Sequence, residues 1–361
     1  MTFETQAQRG ERCSVTVIIK ALNEEKNICA AIESSLAAVA KLGGEVVLAD
    51  SCSTDRTVEL ASKYPVRVVQ FANPSERCCG AGPQLGWQHA RGEYVYILDG
   101  DMQMAQGFLE EAVSFLAQHP EVGGVSGRLV ELNHTSLEYR ERALRNHSHL
   151  QPGEVDRLDG GGLYRRLAIE ESGFFSDRNL HSYEEFDLGV RLRSMGWKLW
   201  RLPTPSCTHY GHDAPPYQLL KRRWKSKYVC GLGELVRGAI GQPHFKLVLR
   251  GVRELKIYSA VLLWWLVLAT VPFWPAAAID RVMAFIAIAL LPFAAMAVRK
   301  RSISRAVYSV VSWSFNAAGM VQGLLRTRKP PRARIASLVL HEPPHTTVSP
   351  ARSAPAQRLK P

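Results

Sequence analysis

The first hundred residues alternate between β-branched apolar runs and amphipathic stretches. Residues 15–20 (VTVIIK), 45–49 (EVVLA), 66–71 and 94–98 (YVYIL) have the near-continuous apolar character of strands buried on both faces. Between them lie 27–42, Ala-rich and closed by Gly43-Gly44, and the shorter stretches 57–63 and 83–90, all expected as helices. This βαβαβ rhythm predicts an α/β fold on a mostly parallel sheet flanked by helices. Ligands of such sheets sit in the crevice at the carboxyl ends of the strands. Those ends are Ala21-Leu22-Asn23-Glu24, Asp50-Ser51 and Asp99-Gly100-Asp101, so carboxylates gather at one crevice.

The section 120–235 has mixed patterns and a Gly-rich stretch at 159–162. After Lys256 the pattern changes. Residues 257–276 carry no charge and are long enough to cross a bilayer core of roughly 30 Å at about 1.5 Å per residue. A second uncharged run, 282–298, follows a short loop holding Asp280 and Arg281, and Pro272 and Pro292 lie inside the two runs. Arg250, Arg253 and Lys256 precede the pair and Arg299-Lys300-Arg301 follow it, so a hairpin with both flanks in the cytoplasm is expected. Two buried helices of a soluble core are the alternative, disfavoured because each run is apolar all round. A third run, 306–325, contains Ser309, Ser312, Ser314, Asn316 and Gln322 between basic flanks. It is expected to lie in the membrane interface, with a third span as the alternative. Residues 330–361, rich in Pro, Ser and Arg, are expected to be disordered. The division is thus a catalytic domain 1–235, a juxtamembrane linker 236–256, a hairpin 257–298, a basic-flanked helix 299–329 and a tail.

Charge follows this division. The chain carries a net +12, yet from Arg299 onward there are twelve Lys/Arg against the single acid Glu342, so the body is nearly neutral. A basic tail beside apolar segments points to an anionic membrane surface and not to nucleic acid. The seven cysteines show no paired spacing, and the N-terminus begins with polar residues, so reduced thiols are expected.

The chemistry sits in short acidic motifs. Asp99 and Asp101, one residue apart after a strand, can share a divalent cation, and hard oxygen ligands favour Mg²⁺ or Mn²⁺. Such a triplet alone is a weak signal; its place at the end of a buried strand strengthens it. Asp50 also ends a strand, and is expected to face the crevice while Thr54 or Asp55 caps the next helix. Glu184 and Glu185 open a predicted helix, where the dipole stabilises acids in any protein and where a general base could also stand. The segment 207–213 (CTHYGHD) offers a histidine, His212, as a further metal ligand. The basic run Lys221-Arg222-Arg223-Trp224-Lys225 could grip a phosphate or anchor in the interface, and Gly160-Gly161-Gly162 suggests close backbone approach or a tight turn.

Together VTVIIKALNEEKNI, ADSCSTDRT, GWQHARGEYVYILDGDM, LDGGGLYRR and EEFDLGVRLRSMGWKLWRLP make the first ~235 residues resemble the inverting glycosyltransferases of family 2, which have a GT-A fold. The resemblance implies transfer of a sugar from a nucleotide-diphosphate donor to an acceptor, plausibly lipid-linked, for a polysaccharide or glycolipid. It implies a nucleotide-sugar site at Ala21, Leu22, Glu24, Asp50 and Asp99, and Mg²⁺ or Mn²⁺ at Asp99 and Asp101. It gives Glu185 the role of base with Glu184 beside it, and Gly161, Gly162, Arg223 and Trp224 contact with acceptor or diphosphate. The location implied is the cytoplasmic membrane, multi-pass, with the catalytic domain in the cytoplasm. The chain departs from the family in having Lys20 where Pro is common, Leu22 where an aromatic is common, Glu185 where Asp is usual, and Leu220 in place of the Gln of a processive motif. The broken processive motif, with only two clear spans, favours single-sugar transfer over processive synthesis. A nucleotidyltransferase making a nucleotide sugar is a rival reading, and an inactive membrane-bound binding protein is another.

Overall fold

The computed structural model describes residues 14–132, 150–211 and 215–343. Strand β1 (Val15–Ala21) lies between β2 (Glu45–Asp50) and β4 (Tyr94–Asp99) and is parallel to both, with β3 (Arg67–Phe71) outside β2. Val17 and Ile19 enter one core with the helix Ile28–Ala40, while Ile18 enters the other with the helix Ala81–Trp87. Both faces of β1 are therefore dry, which is why its sequence has no polar alternation.

Five further strands extend the sheet beyond β4. β5 (Met102–Met104) leads to the helix Phe108–Gln118 and β6 (Val122–Glu131); β7 (Gly153–Val155), β8 (Gly162–Arg165) and β9 (Lys198–His209) follow. The order runs β3-β2-β1-β4-β8-β6-β9-β5, with β7 also on β9. In the second half β6 and β9 run parallel while β8, β7 and β5 pair antiparallel. The parallel core thus coincides with the expected βαβ rhythm, and the mixed half carries the acidic helix Glu184–Ser194 above it.

The stretch expected as a linker is packed structure. The helices Gly231–Ala239 and Phe245–Gly251 place Leu235, Val248 and Val252 in one core with Phe186 and Val190 of the acidic helix. Apolar side chains at helical spacing leave no solvated linker there. Two helices long and apolar enough to cross a membrane follow, Arg253–Phe273 and Ala278–Lys300, and both are largely exposed. Pro272 falls in a closing 3₁₀ turn, and Asp280, expected in the loop, sits in the first turn of the second helix, where its charge suits the dipole.

The third apolar run forms the helix Ile303–Leu325, which docks on the body. A Cβ at Gly233 or Gly323 would strike the carbonyls of Met320 or Cys230, so bare glycine lets the helix axes approach. Ring pairs Tyr217–Tyr308 and Trp224–Phe315 fix the same contact.

The tail departs from the expected disorder. Residues 337–341 form β10 (Ser337–His341), antiparallel to β3 at the sheet edge. Ile335 is wholly buried in the second core, Gln88 exchanges two hydrogen bonds with its backbone, and Arg67 pairs with Glu342. An open strand edge and one apolar anchor outweigh the local composition. Residues 344–361 lie outside the described residues. Ile335→Ala is expected to cost about 2–5 kcal/mol. Thermal unfolding of the full chain in detergent measures it, and an unchanged midpoint would mean that the strap does not hold.

Candidate active site

The parallel strands end at an open cleft of about 770 Å³. It is bounded by the turns after β1 and β4, by Ser51, and on the far side by Arg222, Lys225 and the segment from Arg326 to Lys329. The turns after β1 and β2 are tied together, since Ser53 Oγ accepts from the Asn23 amide at 2.9 Å and Asn23 Oδ1 accepts from the Thr54 amide at 2.8 Å. Asn23, Cys52 and Tyr183 all hold left-handed backbone angles, with φ of 58°, 60° and 69°. Such strain, about 1–3 kcal/mol per residue, persists where the surrounding structure imposes it, and active sites are the usual place.

Asp99 closes β4 and is the register partner of Lys20 on β1. Lys20 Nζ therefore stands 3.0 Å from Asp99 and 3.5 Å from Glu184. Burial works against that charge, but Asp99, Glu184 and Glu185 together raise its pKa well above the ordinary lysine value. Gly100 separates the two aspartates because a Cβ there would come within 2.9 Å of the Glu24 side chain. Asp101 is buried, and its carboxylate lies 3.2 Å from Nε2 of His209. The other ring nitrogen of His209 is 2.7 Å from Glu131. Burial alone would lower the pKa of this imidazole; the two carboxylates hold it up at about 9.

Among the described residues no three His, Cys, Asp or Glu side chains converge as a preformed metal cage. Asp99 and Asp101, one residue apart on the cleft lining, are the carboxylates that could hold Mg²⁺ or Mn²⁺, ions commonly held by one or two carboxylates and completed by substrate phosphates.

Glu184 and Glu185 occupy the first turn of their helix, behind Tyr183. Glu184 is one ion pair away from the cleft lining, through Lys20. Glu185 Oε1 accepts a hydrogen bond from the Gly160 amide at 3.3 Å. Burial, and after it the nearby Asp159 carboxylate, push the Glu185 carboxyl up to about 8, with Lys20 pulling the other way. Asp159 is itself paired with Arg157 at 3.0 Å.

The structure places five of the residues marked in the sequence on the cleft, and Glu184 and Glu185 off its lining. Ala21, Leu22, Glu24, Asp99 and Asp101 line the cleft, with Leu22 exposed. Asp50 does not face it: the side chain is wholly buried and accepts from the Ser53 amide, Ser53 Oγ and Gln70 Nε2. A strand-end aspartate followed by Ser-Cys-Ser closes its own turn, and Ser51 is the residue left on the lining. Gly161 and Gly162, the latter the first residue of β8, are buried, and a Cβ at Gly161 would lie 2.8 Å from the Ile97 carbonyl, so close packing accounts for the bare backbone there. Arg223 lies over the Tyr228 ring and Trp224 against Phe315, so it is their neighbours Arg222 and Lys225 that reach the cleft. Arg222 and Lys225 are three apart on the helix and share a face, from which Arg223, about 100° round from Arg222, turns away. His212 lies outside the described residues; the histidine of that segment that meets Asp101 is His209, placed by the pairing of β9 with β5. Sequence reasoning missed His181 and Glu234, which pair at 2.9 Å on the lining, and the returning segment from Arg326.

The family model described as glycosyl transferase family 2 matches residues 16–173. EpsE of Bacillus subtilis is 32% identical over 198 residues, covering 52% of this chain and 69% of that protein. TarS of Staphylococcus aureus, a poly(ribitol-phosphate) beta-N-acetylglucosaminyltransferase, is 26% identical over 181 residues, covering 47% of this chain and 30% of TarS. The chain spans under a third of the length of the longer curated relatives that it matches. Among solved structures, the mannosyltransferase PcManGT from Pyrobaculum calidifontis, in complex with GDP-Man and Mn²⁺, superposes with a TM-score of 0.54 at 20% identity, covering 88% of each chain. That likeness is one of fold.

Proposed function

We propose, for a chain that belongs to glycosyl transferase family 2, that it moves one sugar from a nucleotide-diphosphate donor onto an acceptor hydroxyl with inversion at the anomeric carbon. The observation that carries this reading is the meeting of two motifs far apart in sequence: Lys20 joins Asp99 of the Asp-Gly-Asp turn to Glu184 of the acidic helix, 3.0 Å from one and 3.5 Å from the other. A nucleotidyltransferase would have no use for the second motif.

In this reading Glu185 takes the proton of the acceptor hydroxyl as its oxygen attacks the anomeric carbon. The bond from that carbon to the phosphate oxygen breaks, and the electron pair leaves with the nucleoside diphosphate. Asp99 and Asp101 would hold Mg²⁺ or Mn²⁺, which when bound neutralises charge on the diphosphate. Arg222 and Lys225, on the cleft's far side, suit a phosphate group of the donor or acceptor. The acidic helix shares a core with Tyr258 and Val261 of the first apolar helix, which supports a membrane-bound enzyme and a lipid-linked acceptor. The basic flanks support a cytoplasmic catalytic domain.

Purified protein in detergent, offered a panel of nucleotide sugars with membrane lipid extract, is expected to release nucleoside diphosphate from one class of donor. Pyrophosphate release from a nucleoside triphosphate and a sugar 1-phosphate would favour the rival. The base also sets a pH limb. Glu185 acts when deprotonated, so kcat/KM should rise about tenfold per pH unit and level off near pH 8. A limb at pH 4–5 would mean an ordinary, solvated carboxylate.

A further inference from the structure

Both acids of the Asp-Gly-Asp turn face a cation supplied by the protein, and the two cations differ in kind. His209 lies beside Asp101, and an imidazole is a residue type that can also serve as a metal ligand. Lys20 lies beside Asp99 and has no such second role, because an ammonium offers donors only. It stands at the end of a central strand, between the Asp99 carboxylate on the neighbouring strand and Glu184 on the acidic helix, with its side chain 22% exposed on the cleft lining. A long side chain held by carboxylates on two elements is a placed charge.

We propose that Lys20 is a positioning residue, a tethered cation that occupies the Asp99 carboxylate before the donor arrives and so keeps free divalent ions out of the site. A divalent ion held by Asp99 would be repelled by the ammonium that stands 3.0 Å from the same carboxylate, since like charges at short range oppose each other. The negative charge of a donor's diphosphate compensates both cations at once. Lys20 would thus favour an ion only when the donor accompanies it, its ammonium then turning to the diphosphate or to Glu184. The inference rests on the metal reading of Asp99 and Asp101 given above.

The test is Mn²⁺ binding by the full chain in detergent, read from the EPR signal of the free ion, without turnover. Wild type is expected to bind Mn²⁺ weakly alone and at least tenfold more tightly with UDP or GDP present. Lys20→Met and Lys20→Gln, two neutral side chains of similar length, are expected to bind Mn²⁺ alone at least tenfold more tightly than wild type. Lys20→Arg, which keeps the charge, should stay weak, and this rescue separates charge from packing. Thermal unfolding identifies which neutral variant is folded, and one suffices. Neutral variants with wild-type or weaker Mn²⁺ affinity, while wild type still gains affinity with nucleotide, would overturn the role of Lys20 and leave the metal site standing. No Mn²⁺ binding by wild type even with nucleotide would overturn both.

Discussion

Glu185→Gln is expected to lower kcat by about 10²–10⁴-fold while donor binding stays near wild type, because a general base acts in the transition state and not in the ground state. Glu184 and Glu185 are consecutive on a helix, about 100° apart, so they face different partners. Glu184 is engaged by Lys20, 3.5 Å away. Glu185 has the Gly160 amide and the Asp159 carboxylate beside it, and its carboxyl is pushed up to about 8. A raised carboxyl binds a proton more readily at neutral pH, which is what a base that must receive one needs. Glu185→Asp keeps the carboxylate one methylene further back and should retain part of the activity. If Glu184→Gln is the dead variant and Glu185→Gln is nearly wild type, the roles are exchanged. Single-turnover rates with saturating donor separate these outcomes from a binding defect.

The second large effect is expected at the Asp-Gly-Asp turn. Asp101→Asn should reduce nucleoside diphosphate release by at least about 10²-fold, and EDTA should do the same to wild type. Metal assistance supplies several kcal/mol of charge stabilisation, and each 1.36 kcal/mol is about tenfold in rate. Asparagine keeps the shape of the side chain and removes the charge that both His209 and a divalent ion would meet. Added Mn²⁺ should restore the chelated wild type and not the variant. Full turnover in EDTA would reduce Asp99-Gly100-Asp101 to a strand-end turn.

The sheet was legible where its strands are local and buried on both faces. β1, β2, β3 and β4 alternate with helices, and β1, β2 and β4 carry the near-continuous apolar signature that two dry faces impose. β10 was not, since five residues in a Pro- and Arg-rich tail become a strand only because β3 offers an open edge. Long-range pairing of this kind leaves no periodicity to read. At the site, Asp99, Asp101, Glu184 and Glu185 stood out by type and by position after a strand or at a helix start. Which way a side chain turns was harder. Asp50 reads as a crevice acid until Ser53 and Gln70 are seen to satisfy it, and Arg223 as a phosphate ligand until the helix phase gives that place to Arg222 and Lys225. Lys20 was visible as an odd residue at the end of β1; its meaning came from the Asp99 and Glu184 carboxylates around it.

The stereochemistry of the product tests the central claim most directly. Proton NMR of the transferred sugar, made from a donor of defined anomeric configuration, reports whether one displacement or two have occurred. Inversion is the expected result for a single attack assisted by Glu185; retention would contradict it and require a covalent or internal-return route in place of a base.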